Sequence, residues 1–94
     1  MMTFIMFGKY TMEGLKGMSA ERTDNAVKVI EQCGGQVEGM FATLGEHDLV
    51  LILSFPSLED AMKCSVVLTR MTGIAFTTAP AVSVEKFDQM MAGT

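Results

Sequence analysis

The predicted β-strands of this chain carry apolar side chains on both of their faces. In the N-terminal strand, Phe4 and Met6 point to one side of the sheet while Ile5 and Phe7 point to the other. A later strand, residues 47–55, alternates leucine on one side with valine and isoleucine on the other. A chain of 94 residues buries only about 60 to 65% of the surface that it exposes when unfolded, so it cannot cover two apolar sheet faces from within.

The face left uncovered predicts self-association. An apolar sheet face in water would exceed the few hundred Å² that soluble monomers tolerate. Because two-fold dimers are the commonest oligomers, we expect a homodimer packed sheet to sheet, and a higher oligomer stays open. The alternative is that the last helix folds back over this face, although about ten residues cover too little of it.

The signals for secondary structure repeat along the chain in the order strand, helix, strand. The predicted strands are residues 3–11, 36–44, 47–55 and 74–82. Ser19 caps the first helix, which ends at the pair Gly34 and Gly35. Ser57 caps the second, with Asp60 completing a capping box, and Gly73 ends it. This order predicts an α+β fold, a ferredoxin-like βαββαβ sandwich with four antiparallel strands and both helices on one face.

The whole chain, residues 1–94, is predicted to be a single domain. Residues 83–94 fall outside the repeat and form a short helical extension, in which Val84 and Phe87 have helical spacing. Residues 12–18 are predicted to be a loop because of Gly14 and Gly17.

Charge and composition exclude several classes of partner. The net charge is −4 and the seven cationic residues are spread singly, so we expect no nucleic acid. The longest aliphatic run, residues 49–53, is too short to span a membrane, and without an export signal we expect a cytoplasmic protein. Cys33 and Cys64 fall on predicted helices as core thiols and, with His47, lack the spacing of metal ligands. We therefore expect no metal and no cofactor.

A set of small, polar and charged residues carries a family resemblance. Its members are Thr11, Gly14, Lys16, Arg22, Gly34, Gly35, Thr43, Gly45, Asp48, Pro56, Ala61, Gly73, Thr77 and Thr78. With these residues, the stretch 3–82 resembles the GYD domain family, small proteins of unknown biochemical function. The resemblance implies a dimeric α/β barrel and no particular reaction. His47 stands where the family's tyrosine is expected, and its imidazole keeps a ring and a hydrogen-bonding edge.

His47 is the only histidine, the residue type that most often exchanges protons at neutral pH. If it lies on a strand, its neighbour Asp48 points to the opposite face, so the two do not form a catalytic dyad. One interpretation makes His47 a solvated turn residue, with Asp48 accepting backbone N–H bonds to fix the turn. The other places His47 at the mouth of a barrel or of a pocket between helix and sheet, as an acid or base.

Glycines at positions 14 and 17, ahead of a helix, also allow an anion-binding interpretation, although the signature of a P-loop is absent. Loop flexibility is the simpler reason for them. The candidate ligand-binding residues are Tyr10, Thr11, Lys16, Arg22, Thr43, His47 and Asp48.

Three functions fit this sequence. We expect a homodimer that binds a small molecule in an apolar pocket between sheet and helices. One alternative is a cofactor-independent enzyme of the monooxygenase or isomerase type, with His47 as the proton carrier and candidate catalytic residue. The other is a purely structural or interaction dimer, for which no cavity of about 300 Å³ or more should lie beside His47.

Overall fold

The structure, a computed structural model, describes residues 1–94 and contains one antiparallel sheet and four helices. The elements are β1 (Met2–Lys9), α1 (Met12–Lys16), α2 (Ala20–Gln32), β2 (Gln36–Ala42), β3 (Leu49–Phe55), α3 (Leu58–Thr72), β4 (Ala75–Ala81) and α4 (Val84–Met91). The strand order in the sheet is β2-β3-β1-β4. The predicted α+β, ferredoxin-like arrangement of four antiparallel strands is confirmed.

The two long helices begin and end where the sequence predicts. Ser19 accepts a hydrogen bond from the Arg22 N–H at 3.0 Å, and Ser57 accepts one from the Asp60 N–H at 3.2 Å. Each bond satisfies a donor that the first helical turn leaves free. Gly73 ends α3 with a φ of 75°, a left-handed conformation that a residue with a Cβ seldom adopts.

The segment after β1 is not the predicted loop, because Met12–Lys16 forms the short helix α1. The Thr11 hydroxyl accepts from the Gly14 N–H at 2.9 Å and donates to the Gly73 carbonyl at 2.6 Å. The Arg22 guanidinium donates to the carbonyl of the same Gly14, in the middle of the segment. Contacts with residues distant in the sequence therefore offset the low helix propensity of glycine.

The third strand is shorter than predicted and begins at Leu49, so His47 and Asp48 lie in the loop that precedes it. The sheet hydrogen bonds nevertheless continue to this point: the Asp48 N–H donates to the Gly8 carbonyl at 2.9 Å.

Helices α2 and α3 cover one face of the sheet. The fully buried cluster on this face consists of Phe4, Met6, Ile30, Leu51, Leu53, Phe55, Ala61, Cys64 and Leu68. Phe4 and Phe55 meet edge to face with ring centroids 5.9 Å apart. The core is therefore a two-layer sandwich.

The other face of the sheet, which we call the open face, has no helix over it. It presents Ile5 paired with Ile52, and Phe7 paired with Val50. Phe41 on β2 is 56% exposed. The alternative in which the last helix covers this face is not realised, because α4 has no buried residue.

Both edge strands of the sheet are irregular. A bulge interrupts β2 between Val37 and Gly39, where the Glu38 carboxylate accepts a hydrogen bond from the Ser54 hydroxyl at 3.0 Å. At the opposite edge, β4 contains Pro80, which has no N–H to donate. None of the helices has the length and apolar character needed to cross a membrane.

Candidate functional site

Six of the seven candidate residues lie in one hydrogen-bonded region at one end of the sheet. Asp48 accepts a bond from the Tyr10 N–H at 2.8 Å, joining the β2–β3 loop to the end of β1. Tyr10 is followed by Thr11, which caps α1, and the Arg22 side chain bonds to that same helix. These hydrogen bonds connect the β2–β3 loop, the end of β1, α1 and the start of α2 at this end of the sandwich.

The other two candidates on the β2–β3 loop, Thr43 and His47, take part in hydrogen bonds that hold the loop in its conformation. The Thr43 hydroxyl donates to the His47 carbonyl at 2.6 Å, and the Thr43 N–H donates to the Asp48 carbonyl at 2.8 Å. Lys16, the seventh candidate, is exposed at the end of α1. The sequence predicts that the Asp48 carboxylate accepts a main-chain N–H of its own turn. In the structure it accepts the N–H of Tyr10, which is 38 residues away.

A cavity of about 90 Å³ opens beside this region, between the covered face of the sheet and the helices. Its lining residues are Tyr10, Met18, Arg22, Thr23, Ala26, Met40, Leu49, Leu51, Leu68, Thr72, Ile74 and Phe76. Nine of these twelve residues are hydrophobic, and Arg22 is the one charged residue among them. We call this space the helix–sheet cavity.

The volume of the helix–sheet cavity is below the range of about 300 to 1,000 Å³ that is typical of ligand pockets. Met18 and Met40 in its wall are 55% and 36% exposed. Methionine side chains adapt readily because they have three rotatable bonds and no branch. Rotation of these two side chains would widen the mouth of the cavity toward solvent.

The one buried hydroxyl residue on α3, Thr72, has its hydrogen bonds within the fold. The Thr72 hydroxyl donates to the Leu68 carbonyl at 2.7 Å and accepts from the Ile74 N–H at 3.1 Å. This pair of bonds uses the polar capacity of Thr72, so its contribution to the cavity wall is mainly its shape.

His47 lies on the other side of the sheet from this cavity. Its ring stacks on Phe7, with centroids 4.6 Å apart and planes inclined by 35°. Phe7 belongs to the open face, because its neighbours Phe4 and Met6 occupy the buried core face. His47 therefore borders the open face and is not part of the wall of the helix–sheet cavity.

A second, wider concavity of about 570 Å³ lies at the far end of the sheet, where β1, β4 and α4 meet. It is an open surface hollow between the N-terminal methionines and Lys86. His47 does not line it either.

The two cysteines are neighbouring free thiols at the contact between α2 and α3. Burial raises the pKa of the Cys64 thiol to about 12, and the nearby Cys33 adds to the rise through its charge and a hydrogen bond. A thiol that holds its proton this firmly is a poor nucleophile and a poor metal ligand.

The model of the GYD domain matches residues 4–91, nearly the whole chain. The chain belongs to the GYD domain family. No curated protein matches this GYD chain.

Two solved structures are similar to the GYD chain in fold. The leucine response regulatory protein LrpA of Mycobacterium tuberculosis superposes with a TM-score of 0.58 at 11% identity, over 87% of this chain and 51% of that one. A glutamate-to-alanine mutant protein superposes with a TM-score of 0.57 at 12% identity, over 87% of this chain and 50% of the other. The GYD chain spans about half the length of these proteins, and the likeness concerns the fold alone.

The sequence identified two residues of the cavity wall, Tyr10 and Arg22, and missed the others. Met18 and Met40 belong to the wall. Methionine is common both in cores and at adaptable binding surfaces, and the sequence alone does not distinguish the two uses. Thr72 is buried although the more apolar Met71 beside it is exposed, so hydropathy favours the wrong neighbour.

Proposed function

We propose that this GYD protein is a homodimer that binds a small molecule in the helix–sheet cavity. The observation that carries the proposal is the cavity wall, which combines nine hydrophobic residues from the sheet, the helices and the segments next to them with one charged residue, Arg22. Binding sites for small molecules combine apolar walls with a few polar groups that fix orientation.

The size of the cavity limits the ligand. About 90 Å³ accommodates a very small molecule or one end of a longer one whose remainder extends past the exposed methionines Met18 and Met40. A protein of similar fold is named for its response to leucine, so a response to a small molecule has a precedent on this architecture. At 11% identity no residue role transfers from that protein.

Support for the proposed homodimer comes from the open face. Its apolar pairs Ile5–Ile52 and Phe7–Val50 lie on the side of the sheet that α2 and α3 leave uncovered. A second copy of the same face is the partner that matches it in size and polarity. The same feature supports an interaction dimer as the second candidate function, and so does the absence of a cavity beside His47.

The enzyme alternative has less support. Its proton carrier, His47, stacks on Phe7 at the open face, with the sheet between it and the helix–sheet cavity. A general acid or base has to reach its substrate within hydrogen-bonding distance, so a ligand in this cavity is out of its range.

A thermal-shift screen of metabolites against the purified dimer tests the proposal. A ligand present at about 100 times its Kd adds roughly 2.7 kcal/mol to the free energy of unfolding, which is a readily measured rise in Tm. The variant Ala26→Met fills the cavity wall on α2, and Ala20→Met places the same side chain at an exposed position of the same helix.

We expect a ligand to raise the Tm of the wild type and of Ala20→Met, and to leave that of Ala26→Met unchanged. A screen of broad chemistry that finds no stabilising compound would contradict the binding function and favour the interaction dimer. Equal stabilisation of both variants would locate binding elsewhere.

A further inference from the structure

Arg22 is the one charged residue in the wall of a mainly apolar cavity, and no acidic residue lines that wall. Its side chain is half-buried, and its Nη1 donates a hydrogen bond to the Gly14 carbonyl. A guanidinium carries five N–H donors, so most of its donor capacity remains for another acceptor. A charge that folding removes from water is stabilised by an oppositely charged partner.

The position of Arg22 on its helix increases the local positive charge. It is the third residue of α2, whose first turn begins at Ala20. The N-terminal turn carries the positive end of the helix dipole, where acidic side chains are favoured and cations are not. Glu21, the acid in this turn, is exposed and is not part of the cavity wall. The first turn of α2 therefore adds to the positive charge that Arg22 brings to the cavity wall.

We infer that the ligand of the helix–sheet cavity is a monoanionic carboxylate with a short apolar chain, held by Arg22. The inference rests on the proposed function and specifies its ligand class. A carboxylate matches the planar fork of a guanidinium and accepts two parallel hydrogen bonds from it. Apolar surroundings strengthen such bonds because water does not compete for them.

The charge and the volume of the cavity favour a carboxylate over a phosphate ester. One guanidinium balances one unit of negative charge, whereas a phosphate monoester carries about 1.5 to 2 charges at neutral pH. No second cation lines the cavity. The apolar wall, which includes Leu68 and Phe76, has space for a few carbon atoms beside the anion.

Arg22 also has a structural role, since its bond to Gly14 supports α1. A variant that weakens this support could lose binding for a reason unrelated to charge. The decisive comparison therefore uses the unmodified protein and a pair of probes of equal shape, isobutyrate and its neutral counterpart isobutyramide. Acetate serves as the probe that has the charge and lacks the branched chain.

Titrations of the ¹⁵N-labelled protein followed by NMR give both the affinity and the location. We expect isobutyrate to bind at least about tenfold more tightly than isobutyramide, as a charge-assisted bond to arginine predicts. We expect it to bind about tenfold more tightly than acetate, because two further carbon atoms become buried. The shifted signals should include the Ala26 amide and the Arg22 Nε–H, which belong to two residues of the cavity wall.

The variants Arg22→Gln and Arg22→Lys complete the test. Arg22→Gln should remove the preference for the acid over the amide, and Arg22→Lys should retain part of it, since the charge remains without the fork. Equal binding of isobutyrate and isobutyramide to the wild type would overturn the carboxylate assignment and leave the cavity as a binding site for neutral molecules. Binding of none of the probes, together with a negative metabolite screen, would overturn both proposals.

Discussion

Replacing Ile52 by lysine is expected to leave this protein monomeric. Ile52 lies near the middle of the open face, paired with Ile5 on one side and with Gly39 on the other. In a dimer packed through this face, the two-fold axis brings two lysines into an apolar interface with no acid to pair them. Each would lose hydration without compensation.

The structure sets the scale of this effect. The four strands have seven or eight residues each, rise about 3.3 Å per residue and lie about 4.8 Å apart, so together they present about 460 Å² per copy. Two such faces bury about 900 Å², below the range of about 1,200 to 2,000 Å² for stable complexes. An interface of this size cannot absorb a cost of about 4 kcal/mol, which corresponds to a roughly thousandfold higher Kd.

A stable dimer would need more buried area than two open faces supply, and α4 is a surface that could add it. This helix of eight residues is about 12 Å long, and Val84 and Phe87 are 75% and 50% exposed. If each copy lays its α4 on the other, the two helices and the surfaces that they cover add several hundred Å². Phe87→Ser should therefore weaken the dimer less than Ile52→Lys does, but measurably.

Sedimentation and light scattering at micromolar concentration distinguish these outcomes. The matched control is Val66→Lys, which places the same charge on the solvent side of α3, where Val66 is 51% exposed. Circular dichroism should show that the Ile52→Lys chain is folded, because its side chain points away from the core. A wild-type protein with the mass of a single chain, or an Ile52→Lys variant that still dimerises, would refute the reasoning.

Two further predictions concern the core. Gly35→Ala should destabilise the fold by about 1 to 3 kcal/mol in chemical denaturation, because an added Cβ would lie 2.5 Å from the ring of the fully buried Phe55, and a loss below about 0.5 kcal/mol would contradict this. Cys64 should resist an aromatic disulfide reagent in the native state while Cys33 reacts, since burial raises the pKa of the Cys64 thiol from 9.0 to about 12. The proton that folding retains there stabilises the protein fully below pH 9, and this contribution is lost as the pH rises toward 12. Equal reaction rates for the two thiols would contradict the predicted protection of Cys64.

The sequence predicts the fold well wherever a local signal is sufficient. Ser19 and Ser57 act through N–H groups three residues away, and Gly73 acts through its own backbone conformation. Such effects are complete within one turn of chain, so a short window of residues contains all the information needed.

The sequence fails where the determining contact is remote. Helix α1 depends on Thr11 bonding to Gly73, 62 residues further along the chain, which no local window contains. The bond between Asp48 and the Tyr10 N–H, and the adjacency of the two thiols, are tertiary in the same way. The cavity wall combines three strands and two helices, so its membership becomes visible only once the sandwich is assembled.

The irregular edge strands have a consequence for how such molecules assemble. The bulge around Glu38 twists one rim of the sheet and adds a charge, and Pro80 removes a donor from the other rim. Neither edge strand presents the regular row of unpaired N–H and C=O groups with which a strand of another chain could pair. Strand addition of the amyloid type is thereby disfavoured, and the proposed dimer would form through the open face instead.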